Sequence, residues 1–401
     1  MSRRAVILIL DGVGMGAAPD AATYGDVGSD TLAHVLSHVR TAALPHVAGS
    51  DAPAALPNMA ECGLGNIKPL DGVLPSAQPA GAFGMMSPAS SGKDSTTGHW
   101  EIAGVHLARP FPTYPEGFPA ELLAEFSRLT GRRVIGNIVG SGTDVLTQFG
   151  AEHVRTGFWI VYTSADSVFQ IAAHEDIVPR AELYAACEAA RSMLLPPNDV
   201  SRVIARPFVG AAGAFRRTAN RRDFSLQPPA ETLLDALEDA GVARSGVGKV
   251  DDLFAGRGIS ARHTESNAQG IDLITDWLEG DRDGLLFANL VDFDQLYGHR
   301  NDSDGFYAAL REFDAALPAL RRALRQDDLL FITADHGNDP TTASTDHARE
   351  NVPLLVLGPR VKAGTPIGTR GTFSDLGATV ADWLGLDYRG AGQSFLTQIA
   401  V

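Results

Sequence analysis

Leu329-Leu330-Phe331-Ile332-Thr333-Ala334-Asp335-His336-Gly337-Asn338-Asp339 is the stretch that decides the fold class. Its first five residues form an apolar, partly β-branched run of strand length, as expected of a strand buried on both faces. The run ends in a carboxylate, an imidazole and a glycine. A strand that delivers polar chemistry at its carboxyl end is the signature of an open α/β sheet, whose ligands bind at those ends.

Working outward, similar runs occur at residues 6–10, 134–138, 159–162, 285–291 and 354–357. Helical patterns lie between several of them, at residues 120–129, 181–194, 231–240, 267–278 and 307–324. The alternation predicts an α/β protein with a doubly wound core sheet of buried parallel strands. Pro- and Gly-rich stretches at residues 109–117 and 207–214 suggest an inserted segment. The expected organisation is a core from residues 1–108 and 228–401, with a smaller α/β cap from residues 109–227.

At roughly 100–200 residues per domain, the 401-residue chain accommodates two domains. Its 33 Lys+Arg against 48 Asp+Glu give a net charge of −15, which disfavours nucleic acid as a partner. Apolar runs stay well short of the roughly 20 residues that span a membrane. The strand-like run begins within a few residues of Met1, leaving no room for a signal peptide. Cys62 and Cys187 are too few for a disulfide framework, so a cytoplasmic location is expected.

Further polar chemistry follows other strand-like runs. Asp11 directly follows residues 6–10 and opens Asp11-Gly12-Val13-Gly14-Met15-Gly16. A dinucleotide fingerprint is rejected, because no helix pattern begins at Ala17-Ala18-Pro19-Asp20 and Asp11 would face a pyrophosphate. A hard cation suits that carboxylate better. Ser91-Gly92-Lys93-Asp94-Ser95-Thr96-Thr97-Gly98-His99-Trp100-Glu101 fails as a phosphate loop, with Ser87 where the motif needs glycine and Asp94 in the hydroxyl position. Three consecutive hydroxyls between glycines read instead as a nucleophile loop. Asn289-Leu290-Val291-Asp292-Phe293-Asp294, Gly298-His299 and Thr345-Asp346-His347 add carboxylates and imidazoles, without any Cys. Such mixed ligands suit manganese or zinc better than calcium. Two cations about 3.5–4 Å apart could clamp the oxygens of a phosphoryl transfer.

With these pieces together, the sequence resembles the alkaline phosphatase superfamily and, within it, the phosphopentomutase family. The resemblance runs nearly end to end. It is carried by Gly92-Lys93-Asp94-Ser95, Thr97–Glu101, Tyr162-Thr163-Ser164-Ala165-Asp166-Ser167, Asn289–Asp294 with Gly298-His299-Arg300, and Thr333–Asp339. It implies an α/β core holding two Mn²⁺ ions per subunit and an inserted cap. Asp11, Asp335, His336 and the hydroxyl of Ser95 would serve one ion; Asp294, His299 and His347 would serve the other.

The resemblance also implies a nucleophile, since the residue after Lys-Asp is the one phosphorylated in the family. That residue is commonly Thr and here is Ser95, with Thr96 and Thr97 as alternatives. The implied reaction interconverts ribose 1-phosphate and ribose 5-phosphate, or their 2-deoxy equivalents, through a phosphoserine enzyme and a pentose 1,5-bisphosphate. A bisphosphate primer, ribose 1,5-bisphosphate or glucose 1,6-bisphosphate, would load Ser95. Ser164 and Asp166 would meet the sugar, Arg206 and Arg221 the distant phosphate, and Lys249 would add a point charge. His99 and His174 stand as outer supporting groups or packed structural histidines. The expected partners are small sugar phosphates, with no nucleic acid, membrane or obligate protein partner. A phosphoglycerate mutase-like enzyme or a phosphatase is the alternative.

Overall fold

The computed structural model describes residues 3–41, 55–164 and 166–401. The chain divides into two compact units. One comprises the chain up to Pro110 together with Pro228–Val401, and the other is Phe111–Gln227.

The first unit is built on an eight-stranded sheet. Its order is Ala261–Arg262, Arg244–Val247, Gly284–Leu290, Arg4–Leu10, Asp328–Thr333, Val352–Leu357, Ala82–Met86 and Pro366–Arg370. Arg4–Leu10 is buried along its whole length, which explains its unbroken apolar sequence. It runs parallel to both neighbours, with Leu10 opposite Leu290 and Ile9 opposite Thr333. That register brings the chain segments after all three strands to the same sheet edge, where Asp11, Asp294 and Asp335 follow. At the opposite end, buried Arg4 forks onto Asp328 at 2.8 and 2.5 Å and locks the register.

The sheet is mixed, contrary to the all-parallel expectation. Val352–Leu357 is antiparallel to both Asp328–Thr333 and Ala82–Met86. A strand covered on both faces is apolar whichever way it points, so periodicity carries no directional information. A parallel partner would also need a crossover connection, usually a helix. The segment between Thr333 and Val352 contains no helix and instead carries His336 and His347.

The expected helices form with small shifts at their ends. Asn267–Glu279 packs beside Ser303–Ala323. The latter starts before the expected residue 307 because Asp302 caps it, accepting from the Gly305 N–H at 2.9 Å. Several helices were not expected, among them Thr31–Thr41, Gly142–Thr156 and Ser374–Leu384, and one of them bears on the site. Ser95–Ile102 replaces the nucleophile loop, with Asp94 as its N-cap and Trp100 and Ile102 wholly buried. Tertiary burial overrides the poor helix propensity of Ser-Thr-Thr-Gly.

The second unit carries a sheet in the order Val134–Val139, Trp159–Thr163, Val168–His174, Arg202–Val209 and Arg216–Arg217, and Arg222–Ser225 also pairs with Arg202–Val209. Trp159–Thr163 and Val168–His174 are antiparallel, so this sheet is mixed too. Phe126, Trp159 and Phe169 anchor one hydrophobic cluster, while Val145, Tyr162 and Phe208 anchor another. Residues 207–214 are not a boundary, because the strand Arg202–Val209 runs into them; the unit ends at Gln227.

Candidate active site

Two groups of potential metal ligands meet at the carboxyl ends of the central strands. Asp11, Asp335 and His336 form one, and Asp294, His336 and His347 form the other, all buried. In the first, His336 Nε2 lies 3.3 Å from Asp11 Oδ1 and 3.4 Å from Asp335 Oδ2. In the second, Asp294 is approached by His299 Nε2 at 3.1 Å and His347 Nε2 at 3.4 Å. Asp294 therefore receives both histidines expected of it, while His336 stands between the groups.

Supporting hydrogen bonds turn the ligand atoms inward. The His336 Nδ1 position lies 3.0 Å from the Gly337 carbonyl and that of His299 2.7 Å from the Thr345 carbonyl. Protons on those nitrogens leave each Nε2 lone pair facing the carboxylates. Asn289 donates to Asp11 Oδ2 at 2.9 Å and Asn338 to Asp294 Oδ1 at 2.7 Å. Asp11 Oδ1, Asp335 Oδ2 and His347 Nε2 are nevertheless buried without a hydrogen bond. Convergent orphaned lone pairs are costly unless an ion completes them. Carboxylate and imidazole donors without thiolate fit a divalent cation such as Mn²⁺.

The protonation pattern fits the same reading. Burial disfavours a charged His336, yet Asp335, Asp11 and Asp294 raise its pKa well above the usual imidazole range. Burial likewise opposes ionisation of Asp294, but His347, His299 and His336 hold its carboxyl well below the ordinary value. A bound cation would compete with protons for these groups, since ligation needs neutral imidazole and ionised carboxylate.

The three hydroxyls have different environments. Ser95 opens its helix, and its Oγ lies 3.0 Å from His336 Nε2. Thr97 is buried, its Oγ1 donating to Asp94 Oδ2 at 2.6 Å and its N–H to Asp94 Oδ1 at 3.0 Å. Thr96 is buried as well, at 5% exposure. The half-buried Ser95 is thus the hydroxyl at the ligand groups. Helix Ser95–Ile102 rests directly on the metal side of the sheet: a Cβ on Gly98 would fall inside the van der Waals radius of the Asp335 carbonyl oxygen.

The family model for the metalloenzyme superfamily matches residues 3–388. A phosphopentomutase of Dictyoglomus turgidum is 53% identical over 398 residues, covering 99% of this chain and 98% of that protein. Another, from Caldanaerobacter subterraneus, is 50% identical over 400 residues, covering 100% and 98% respectively. The chain belongs to the phosphopentomutase family. It is accordingly an isomerase, an intramolecular phosphotransferase of the metalloenzyme superfamily. Leishmania mexicana phosphoglycerate mutase, among solved structures, aligns over 100% of this chain and 98% of its own at a TM-score of 0.46 and 13% identity. No helix among the described residues is long and apolar enough to cross a membrane.

The residues expected to meet substrate are distributed over both units. Ser164, Asp166, Arg206 and Arg221 belong to the second and Lys249 to the first; Ala165 lies outside the described residues. Asp166 follows the end of strand Trp159–Thr163 and is exposed, 3.9 Å from Arg202. Arg206 donates to Gln170 at 3.0 Å, and burial and the neighbouring Arg221 push its pKa down. Asp223 offsets part of the positive charge of this arginine group. Arg221 forks onto Asp223 at 2.7 Å through both of its contacts. Lys249 bonds to Gln295. His174 is held by its own unit, with Nε2 2.9 Å from the Gly210 carbonyl.

Glu350 and Glu101 escaped the sequence reading. The Glu350 carboxyl accepts from the Thr31 N–H at 3.0 Å and lies 2.8 Å from Thr31 Oγ1, while Thr31 Oγ1 accepts from the Asn338 N–H at 3.2 Å. It also leaves no space for a Cβ on Gly337. Burial pushes its pKa up to about 8. Glu101 accepts from the N–H groups of Ala89, Ser90 and Phe373 at 2.7–2.9 Å, tying the Ser95 helix to two loops. An isolated Glu in sequence carries no signal of such burial, since Glu is ordinarily exposed.

Proposed function

We propose that the enzyme interconverts ribose 1-phosphate and ribose 5-phosphate, and the 2-deoxyribose equivalents, through a phosphoester on Ser95. The placement of Ser95 Oγ beside His336, where the two ligand groups meet, carries this reading. Asp11, Asp335, His336 and Ser95 would hold one Mn²⁺, and Asp294, His299 and His347 the other. When bound, the cations supply Lewis acidity that lowers the hydroxyl pKa and neutralises phosphoryl charge.

The chain's own groups do the positioning. The N-terminus of helix Ser95–Ile102 adds partial positive charge where the phosphoryl group would sit. Phospho-Ser95 would pass its phosphoryl group to O1 of ribose 5-phosphate, freeing the Ser95 oxygen and forming ribose 1,5-bisphosphate. The intermediate would then turn, return its 5-phosphate to Ser95 and leave as ribose 1-phosphate. Arg206 and Arg221 would grip the phosphate that is not reacting, Lys249 would add charge, and Ser164 and Asp166 would bind the sugar. Ribose 1,5-bisphosphate or glucose 1,6-bisphosphate would prime the cycle. The partners are small sugar phosphates in the cytoplasm, without an obligate protein partner.

Incubation with labelled bisphosphate followed by peptide mapping tests this assignment. A single phosphate on Ser95 and conversion of ribose 1-phosphate without free phosphate release are expected. Ser95→Ala should abolish turnover, while Ser95→Thr should retain it. Phosphate on Thr96 or Thr97 with Ser95 unmodified would overturn the assignment, and release of inorganic phosphate would indicate a phosphatase.

A further inference from the structure

His99 is wholly buried on the inner face of the Ser95 helix. Its Nδ1 lies 2.8 Å from the Ser95 carbonyl oxygen and 3.2 Å from Asp335 Oδ2. Nε2 is buried without a partner, so a proton there would have no acceptor. The ring proton therefore belongs on Nδ1, where it is donated to the nucleophile's backbone carbonyl with the Asp335 carboxylate 3.2 Å away. The ring stacks on Phe287, with centroids 5.5 Å apart and planes 19° from parallel, which fixes its orientation.

We propose that His99 is a positioning residue whose Nδ1–H couples the Asp335 carboxylate to the helix start at Ser95, given Ser95 as the phosphorylated hydroxyl. Asp335 Oδ2 itself makes no hydrogen bond and stays open to a cation, while the neighbouring N–H sets its rotamer. One small displacement of the ring would move ligand and nucleophile apart. The helix has other anchors: Trp100 Nε1 donates to the Leu253 carbonyl at 2.8 Å, and Glu101 holds residues 89, 90 and 373. Loss of the imidazole therefore need not unfold it.

Three variants separate positioning from bulk packing. His99→Asn places an amide N–H near the Nδ1 position, His99→Gln can reach only the Nε2 position, and His99→Phe keeps the stacked ring but no donor. Each is compared with wild type for Mn²⁺ affinity by calorimetry, rate of phosphate incorporation from labelled bisphosphate, and kcat against KM. His99→Phe and His99→Gln should lose roughly tenfold to a hundredfold in Mn²⁺ affinity and incorporation rate, as removal of an outer-shell partner does. KM for ribose 1-phosphate should change little, and His99→Asn should recover most of the loss. Wild-type affinity and incorporation in folded His99→Phe, or a Gln variant as good as the Asn variant, would overturn the proposal. Should His99→Phe fail to fold, the Asn–Gln comparison decides alone. Peptide mapping of the wild-type phosphoenzyme is run beside them, so a wrong nucleophile is recognised separately from an idle His99.

Discussion

The imidazole rings of His336 and His347 lie with their centroids 4.1 Å apart, inclined by 45°. One ring belongs to the Asp11–Asp335 group, while both stand at Asp294. The two ligand groups therefore share a wall. Ions held in them would act on one bound phosphoryl group.

Metal removal should abolish activity, and Mn²⁺ should restore it best, because the donors are carboxylate and imidazole alone. His347→Ala and His299→Ala should each lose one equivalent of metal with the fold retained. Elemental analysis beside circular dichroism checks this; full metal content in both variants would exclude these two ligands.

Glu350 predicts a pH dependence of stability. Its folded pKa of about 8 exceeds its ordinary value of 4.5, so the folded state keeps a proton that the unfolded chain releases first. The group's contribution is fully present below pH 4.5 and is lost as pH rises to about 8, at up to about 1.4 kcal/mol per pH unit. In metal-free protein, Glu350→Gln should become progressively more stable relative to wild type between these limits. Parallel melting-temperature curves for the two proteins would remove Glu350 as the titrating group.

Gly98→Ala should destabilise the enzyme although alanine favours helix. Propensity offers about 1 kcal/mol, whereas overpacking against the Asp335 carbonyl costs about 1–3 kcal/mol. The added methyl would also lift the Ser95 helix from the ligands. Denaturant midpoints and Mn²⁺ affinity should both fall; an unchanged affinity would mean that the helix can shift freely.

Arg206→Ala should weaken sugar-phosphate binding by about 1.5–3 kcal/mol, the scale of a charge-assisted hydrogen bond. Loading of Ser95 from a bisphosphate should remain possible. Steady-state kinetics with both ribose phosphates measures the effect, and unchanged constants would remove Arg206 from the substrate site.

Much of the architecture was legible before folding. The strands ending at Leu10, Leu290 and Thr333 lie within two residues of their expected limits, because a strand buried on both faces must be apolar throughout. The His and Asp residues following them stood out because polar groups directly after such runs are rarely needed for packing. Strand direction was not legible at Val352–Leu357, since burial selects apolar residues without regard to polarity of the chain.

The linear pattern by itself determined that the chain is α/β, that Asp11, Asp294, Asp335, His336 and His347 gather at strand ends, and that a hydroxyl cluster accompanies them. Only the tertiary structure decided which hydroxyl faces them. Asp94 caps the helix and takes the Thr97 hydroxyl, burial takes Thr96, and Ser95 alone is left at His336. It also revealed Glu101 and Glu350 and supplied the contacts of His99, whose partners lie on other elements, in some cases hundreds of residues away in sequence. Periodicity reports how one segment meets the core, whereas these groups are defined by contacts between segments, and such contacts exist only after the sheet has aligned its strands.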